Sequence, residues 1–131
     1  ASRRLAERHD KNDLVEGVTD AAPGDEIALV LMDMVRRDTA PRSEALAKAL
    51  RDGFRSEGLA LAGRPLRSAA FSVLKAPDIP SVLIELGFLS SEVDRKRLVD
   101  PQWRSAAVRA IETALVDWAL DDAARAGLRM R

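Results

Sequence analysis

The rhythm of apolar and polar positions changes several times along the chain, and each change marks an element. Residues 1 to about 15 are mostly charged, with Leu5, Ala6, Leu14 and Val15 as their apolar content, which predicts a solvated helix ending near Glu16-Gly17. Val18 to Gly24 gathers Thr19, Asp20, Pro23 and Gly24, residues that favour turns through backbone geometry and local side-chain hydrogen bonds, and reads as a loop. From Asp25 the pattern becomes dense. Ile27 to Met32 are all apolar, and Met34 and Val35 follow Asp33. Asp25 and Glu26 at one end and Arg36 and Arg37 at the other complement a helix dipole, so this run predicts a helix rather than a strand. Its apolar surface covers nearly the whole circumference, as in a fully buried helix or in one that keeps a second face for a partner.

Pro41 suits the first turn of a new helix, in which Ala45, Leu46, Ala49, Leu50 and Phe54 recur at helical spacing. Gly53 weakens that helix and Gly58 is its expected stop. Leu59 to Ser68 is a connector. Ala69 to Leu74 and Ser81 to Leu86 are short apolar runs rich in strand-favouring side chains, and the second is continuous, as in a strand covered on both faces. The link between them carries Pro77 and Pro80 and is too short for a helical crossover. Ser91 with Asp94 predicts a capping box opening a short helix to about Leu98, and Asp100-Pro101 opens the last helix. There Trp103, Ala107, Ala110, Ile111, Ala114 and Trp118 form a stripe expected to pack on the sheet, and residues 121–131 read as a tail whose end, Gly127 to Arg131, frays.

Composition narrows what this chain can do. With 131 residues and 47% apolar content there is enough for one domain and its core. Lys and Arg number 21 and Asp and Glu also 21, so the clustered basic excess of a nucleic-acid-binding protein is missing. No apolar run reaches the roughly 18 residues of a membrane span. One His and no Cys leave no thiolate site and no paired-His motif, so this chain alone is not expected to hold a catalytic zinc. An opening on Ala1, inside what reads as a helix, is expected of a processed or truncated piece.

Glu85 is the most informative single residue. It follows Val82, Leu83 and Ile84 at the carboxyl end of an expected buried strand, where open α/β sheets bind ligands, and a partly buried carboxylate there suits a general base. The plainer alternative is a carboxylate that ends the strand and pairs with an Arg. His9, within Glu7-Arg8-His9-Asp10-Lys11, reads as solvent-facing. Ser90 and Ser91, with no His in the same motif, read as helix caps rather than nucleophiles, Gly87 as a residue that lets the chain leave the strand sharply, and Trp103 and Trp118 as core.

The segment from Phe71 to Ser90, with Ala76-Pro77-Asp78-Ile79-Pro80 and Ile84-Glu85-Leu86-Gly87-Phe88 at its heart, closely resembles the C-terminal part of zinc-dependent N-acetylmuramoyl-L-alanine amidases. Upstream, Asn12-Asp13-Leu14, Gly17-Val18, the helix from Asp25 to Val35, and Arg37-Asp38-Thr39 with Ser43, Leu46 and Ala47 resemble the regulated, cell-division-associated branch. The resemblance covers about Leu5 to Trp118. His9-Asp10, Glu16, Asp38 and Ser91 depart from the family's usual residues, and none of these touches Glu85.

That resemblance implies a three-layer α/β amidase domain whose C-terminal part spans residues 37–120, preceded by a helical regulatory insertion at 1–36 and followed by a tail at 121–131. It implies hydrolysis, in the periplasm, of the amide joining the muramyl lactyl group of peptidoglycan to L-alanine. Zinc and Glu85 would act together, with the metal's two His and one Glu ligands upstream of Ala1. It further implies that the insertion occludes the site, with Glu7 as the carboxylate facing the metal and His9 a lesser candidate. A LytM-like activator would relieve that block by binding Ile27, Val30, Leu31 and Met34. The rival reading, from a different class, is a non-catalytic helical regulatory or partner-binding module.

Overall fold

The structure is a computed structural model that describes residues 25–69, 74 and 76–129. The predicted helix and loop at 1–24, and positions 70–73 of the first predicted strand, lie outside the described residues. Three helices are present among those described: α1 (Asp25–Ser56), α2 (Glu92–Val99) and α3 (Pro101–Arg129). The α/β part of the expectation has no counterpart among them, because no strand is formed there. Two compact units divide the chain, one of Ala1–Ser43 and Arg67–Ser81, the other of Glu44–Leu66 and Val82–Arg131.

In the first unit, the expected break before Pro41 does not occur. Pro41 lies inside α1, and the two predicted helices are one helix of 32 residues. A proline removes one intrahelical donor and crowds the carbonyl a turn earlier, at a cost of about 3 kcal/mol in an isolated helix. Here hydroxyls supply extra bonds to the backbone on either side of it. Thr39 Oγ1 donates to the Val35 carbonyl at 3.0 Å, and Ser43 Oγ donates to the Thr39 carbonyl at 3.2 Å. Full burial of the apolar stretch is also corrected: Ile27, Val30, Leu31 and Met34 are exposed by 69%, 61%, 56% and 61%. Among the described residues no core forms against that side of the helix.

The second unit is built on one helix crossing. Leu46, Leu50 and Phe54, one turn apart on α1, meet Ala107, Ala110 and Ala114 of α3, with Ile111, Trp103 and Trp118 around them. Large side chains on one helix and alanines on the other let the two axes approach closely. The predicted stripe of the last helix is therefore correct in its residues, but it packs on α1 rather than on a sheet. The expected fraying from Gly127 is not seen as far as Arg129, where α3 ends.

Gly53 is where the approach is closest. A Cβ built there would stand 2.6 Å from the backbone oxygen of Ala110 and 3.3 Å from the Ala114 Cβ. On propensity alone Gly53→Ala would gain about 1 kcal/mol, but overpacking against a backbone atom costs about 1–3 kcal/mol. The substitution is expected to lower the stability of the intact protein by up to about 2 kcal/mol, read from urea denaturation midpoints. A stabilised variant would show that the crossing is looser than this geometry requires.

The end of α1 follows the expected glycine rule. Gly58 has φ +70°, a left-handed conformation that costs glycine little. Its N–H reaches the Arg55 carbonyl at 3.0 Å and that of Leu59 reaches the Phe54 carbonyl at 3.0 Å, satisfying two terminal acceptors, while Leu59 packs back beside Phe54. Arg109 of α3 donates twice to Glu57 Oε2, at 2.9 and 3.2 Å, beside this turn. Exposed pairs elsewhere act weakly: Lys48 holds the Glu44 carboxyl below its ordinary value by a hydrogen bond and its charge, and Arg51 does the same for Asp52.

Candidate active-site segment

Residues 81–91 carry the candidate base, and their path is set by anchors at both ends. At the start, the Ser81 N–H donates to Ser43 Oγ at 3.0 Å. In the second unit, Val82 packs against Leu46, Leu50 and Ala114. Beyond it the chain turns outward. Leu83, Ile84 and Leu86 are 51%, 38% and 43% exposed, so the expectation of a strand covered on both faces is corrected. A continuous apolar run becomes a buried strand only when neighbours pair with its backbone and cover both of its sides, and the described residues provide neither.

The far end is fastened by α2. Ser91 is its N-cap, accepting from the Asp94 N–H at 3.3 Å, as the predicted capping box requires. The reciprocal half of that box is replaced. Asp94 Oδ2 does not return to the cap but accepts the Phe88 N–H at 3.0 Å. The Ser91 N–H closes the turn onto the Phe88 carbonyl at 2.9 Å, and Arg95 Nη1 donates to the Leu89 carbonyl at 2.7 Å. Gly87 makes room for this, since a Cβ there would stand 3.0 Å from the Asp94 Cβ. A larger residue there would press on Asp94 and make it give way by a few tenths of an ångström, and no positive φ is involved. Asp100 ends α2 and opens α3, its carboxylate accepting the Gln102 N–H at 3.0 Å, as predicted for Asp100-Pro101.

Glu85 lies between the two anchors. Its side chain is exposed and makes no hydrogen bond or ion pair among the described residues, so neither the expected partial burial nor the alternative Arg pairing is found. The Glu85 carboxylate is thus open to solvent on a short stretch fixed at both ends. The other predicted site residues fall apart into two groups. Ile27, Val30, Leu31 and Met34 share one exposed side of α1, with Met32 and Val35 also open, whereas Glu7 and His9 lie outside the described residues. Asp94 was legible only as a cap. Nothing in the sequence pairs it with Phe88, and Gly87 reads there only as a sharp exit from a strand.

Among the described residues no three His, Cys, Asp or Glu side chains converge as metal ligands, so these residues do not by themselves fit a zinc ion. No described helix is long and apolar enough to cross a membrane.

A sequence model of the family described as N-acetylmuramoyl-L-alanine amidase matches residues 6–117, and the chain belongs to that family. It is similar to the N-acetylmuramoyl-L-alanine amidase AmiA of Salmonella typhimurium, with 29% identity over 117 residues, or 89% of this chain and 40% of the relative. To AmiC of Escherichia coli O6:H1 it is 29% identical over 124 residues, 94% of this chain and 29% of the relative. A shorter match, 44% identical over 48 residues, links it to the probable amidase AmiB of Haemophilus influenzae. The chain thus spans less than half the length of these curated relatives.

Proposed function

We propose that the intact protein is an N-acetylmuramoyl-L-alanine amidase that cleaves the bond between N-acetylmuramic acid and the L-alanine of the peptidoglycan stem peptide, with Glu85 as general base. The family match through residues 6–117, which includes the Glu85 stretch, carries the reading. Glu85 takes a proton from the attacking water and returns it to the departing amine nitrogen, so the carboxylate ends the cycle as it began. The family resemblance adds zinc, a periplasmic setting and a role in separating daughter cells. The described residues do not form the metal's site, and its ligands belong to protein outside this chain. The layout proposed is a regulatory insertion at 1–36, the C-terminal part of a three-layer α/β domain at 37–120 and a tail at 121–131. Glu85→Gln in the intact protein is the test, and undiminished amidase turnover overturns the assignment.

Regulation is the second part of the proposal. The insertion blocks the site through Glu7, and a LytM-like activator releases it by binding Ile27, Val30, Leu31 and Met34. The support is that these four side chains are open on a regular helix, where a partner can cover them. Val30→Glu with Met34→Glu is expected to weaken activator binding by more than about tenfold in a titration of the intact protein. Because both positions are exposed, the thermal midpoint should hardly move. Unchanged binding and stimulation in a folded double variant would remove this helix from the activator interface.

A further inference from the structure

The carboxylate of Asp94 has a position that helix capping does not account for. It is nearly four-fifths buried as a side chain, at 22% exposure, and its Oδ2 is used on the backbone N–H of Phe88, three residues after Glu85. A Cβ added at Gly87 would stand 3.0 Å from the Asp94 Cβ, and the turn that Asp94 holds is closed again by the Ser91 N–H on the Phe88 carbonyl and by Arg95 on the Leu89 carbonyl. Upstream of Glu85 the next fastening is Val82 in the core. The stretch between these points has no strand partner among the described residues, so its course depends on its two ends.

We propose that Asp94 is a positioning residue for Glu85: its hydrogen bond to Phe88, made possible by the bare backbone of Gly87, fixes where the Glu85 carboxylate stands relative to the scissile amide. The inference rests on the proposed role of Glu85. It assigns Asp94 no contact with substrate. A charged acceptor on a backbone N–H forms a short, strong bond, and a shift of about 1 Å in a catalytic group can cost about a hundredfold in rate.

The experiment uses the intact protein with a muramyl-L-alanyl stem-peptide substrate, measuring kcat and KM separately. Asp94→Ala is expected to lower kcat by about 10- to 100-fold with KM within about twofold, because substrate binding is untouched while the base is misplaced. Asp94→Asn keeps an oxygen that can accept from Phe88 and should restore kcat to within about threefold of the parent. Combining Asp94→Ala with Glu85→Gln should cost no more than Glu85→Gln alone, since residues acting through one group are not additive. A folded Asp94→Ala variant with parental kcat overturns the proposal, as does an Asn variant no better than Ala, or a double variant in which the two losses multiply. If Asp94→Ala fails to fold, Gly87→Ala disturbs the same contact from the other side. A roughly tenfold lower kcat at unchanged KM then supports positioning, and parental kcat refutes it. Turnover retained by Glu85→Gln would instead refute the base assignment, which separates the two failures.

Discussion

Glu85→Gln in the intact protein is expected to reduce amidase turnover by about 10²- to 10⁴-fold, the range in which a positioned general base contributes. Glutamine keeps the length and one acceptor oxygen but cannot take up a proton, so KM should change little while kcat falls. The local structure makes this a clean test. Glu85 is exposed and holds no hydrogen bond or ion pair among the described residues, so replacing it removes no structural contact there. Its anchors, Val82 in the core and Phe88 on Asp94, do not involve the Glu85 side chain. The thermal midpoint of the variant should therefore match that of the parent within a degree or two, as for ordinary surface substitutions. Loss of activity accompanied by a large fall in that midpoint would count against a purely chemical role.

The second large effect concerns Phe54. Truncating it to Ala is expected to cost about 3–5 kcal/mol, the usual consequence of removing a buried aromatic and leaving a cavity. Phe54 is buried in one cluster with Ala107 and Ala110, against which Leu59, Leu61, Trp103 and Ile111 pack, so it joins α1, the connector after it and α3. Its buried neighbours on α3, Ala107 and Ala110, are too short to reach into the space it leaves. Because domains are stable by only about 5–15 kcal/mol, a loss of this size should appear as a large fall in the urea midpoint of the intact protein. A fall of less than about 1 kcal/mol would mean that the site collapses and refills, contrary to the rigid crossing described here.

Much of the helical frame was legible because local chemistry dictates it. Ser91 and Asp94, Asp100 and Pro101, and Gly58 are start and stop signals acting within one or two turns, and each falls at the corresponding boundary. The stripe of α3 was legible for the same reason, since its period needs no knowledge of what it faces. Pro41 misled because its effect depends on how its turn is supported, and the Thr39 and Ser43 hydroxyls that support it bond across that same turn. Gly53 misled in another way. Propensity sees a weak helix former, whereas the carbonyl of Ala110 that explains it is distant in sequence. The candidate base could be singled out by its motif. The anchors of its segment could not, because Ser43 to Ser81 and Phe88 to Asp94 are tertiary choices. The apolar run at 82–86 shows the limit of reading burial from composition: hydrophobic residues state a need for cover, and only other parts of a fold can meet it.

The junction of α2 and α3 is a single residue, Asp100, with φ −76° and ψ 118°. Pro101 follows it and restricts that one set of torsions to extended values. In mechanical terms this is a short lever on a stiff pivot. Asp94 lies about 9 Å along α2 from the joint, at 1.5 Å per residue, so a swing of about 5° would carry its carboxylate by roughly 0.8 Å. That is enough to break the bond to Phe88. The tolerance of the Glu85 stretch is thus inherited from a proline corner on the far side of the helix that holds it.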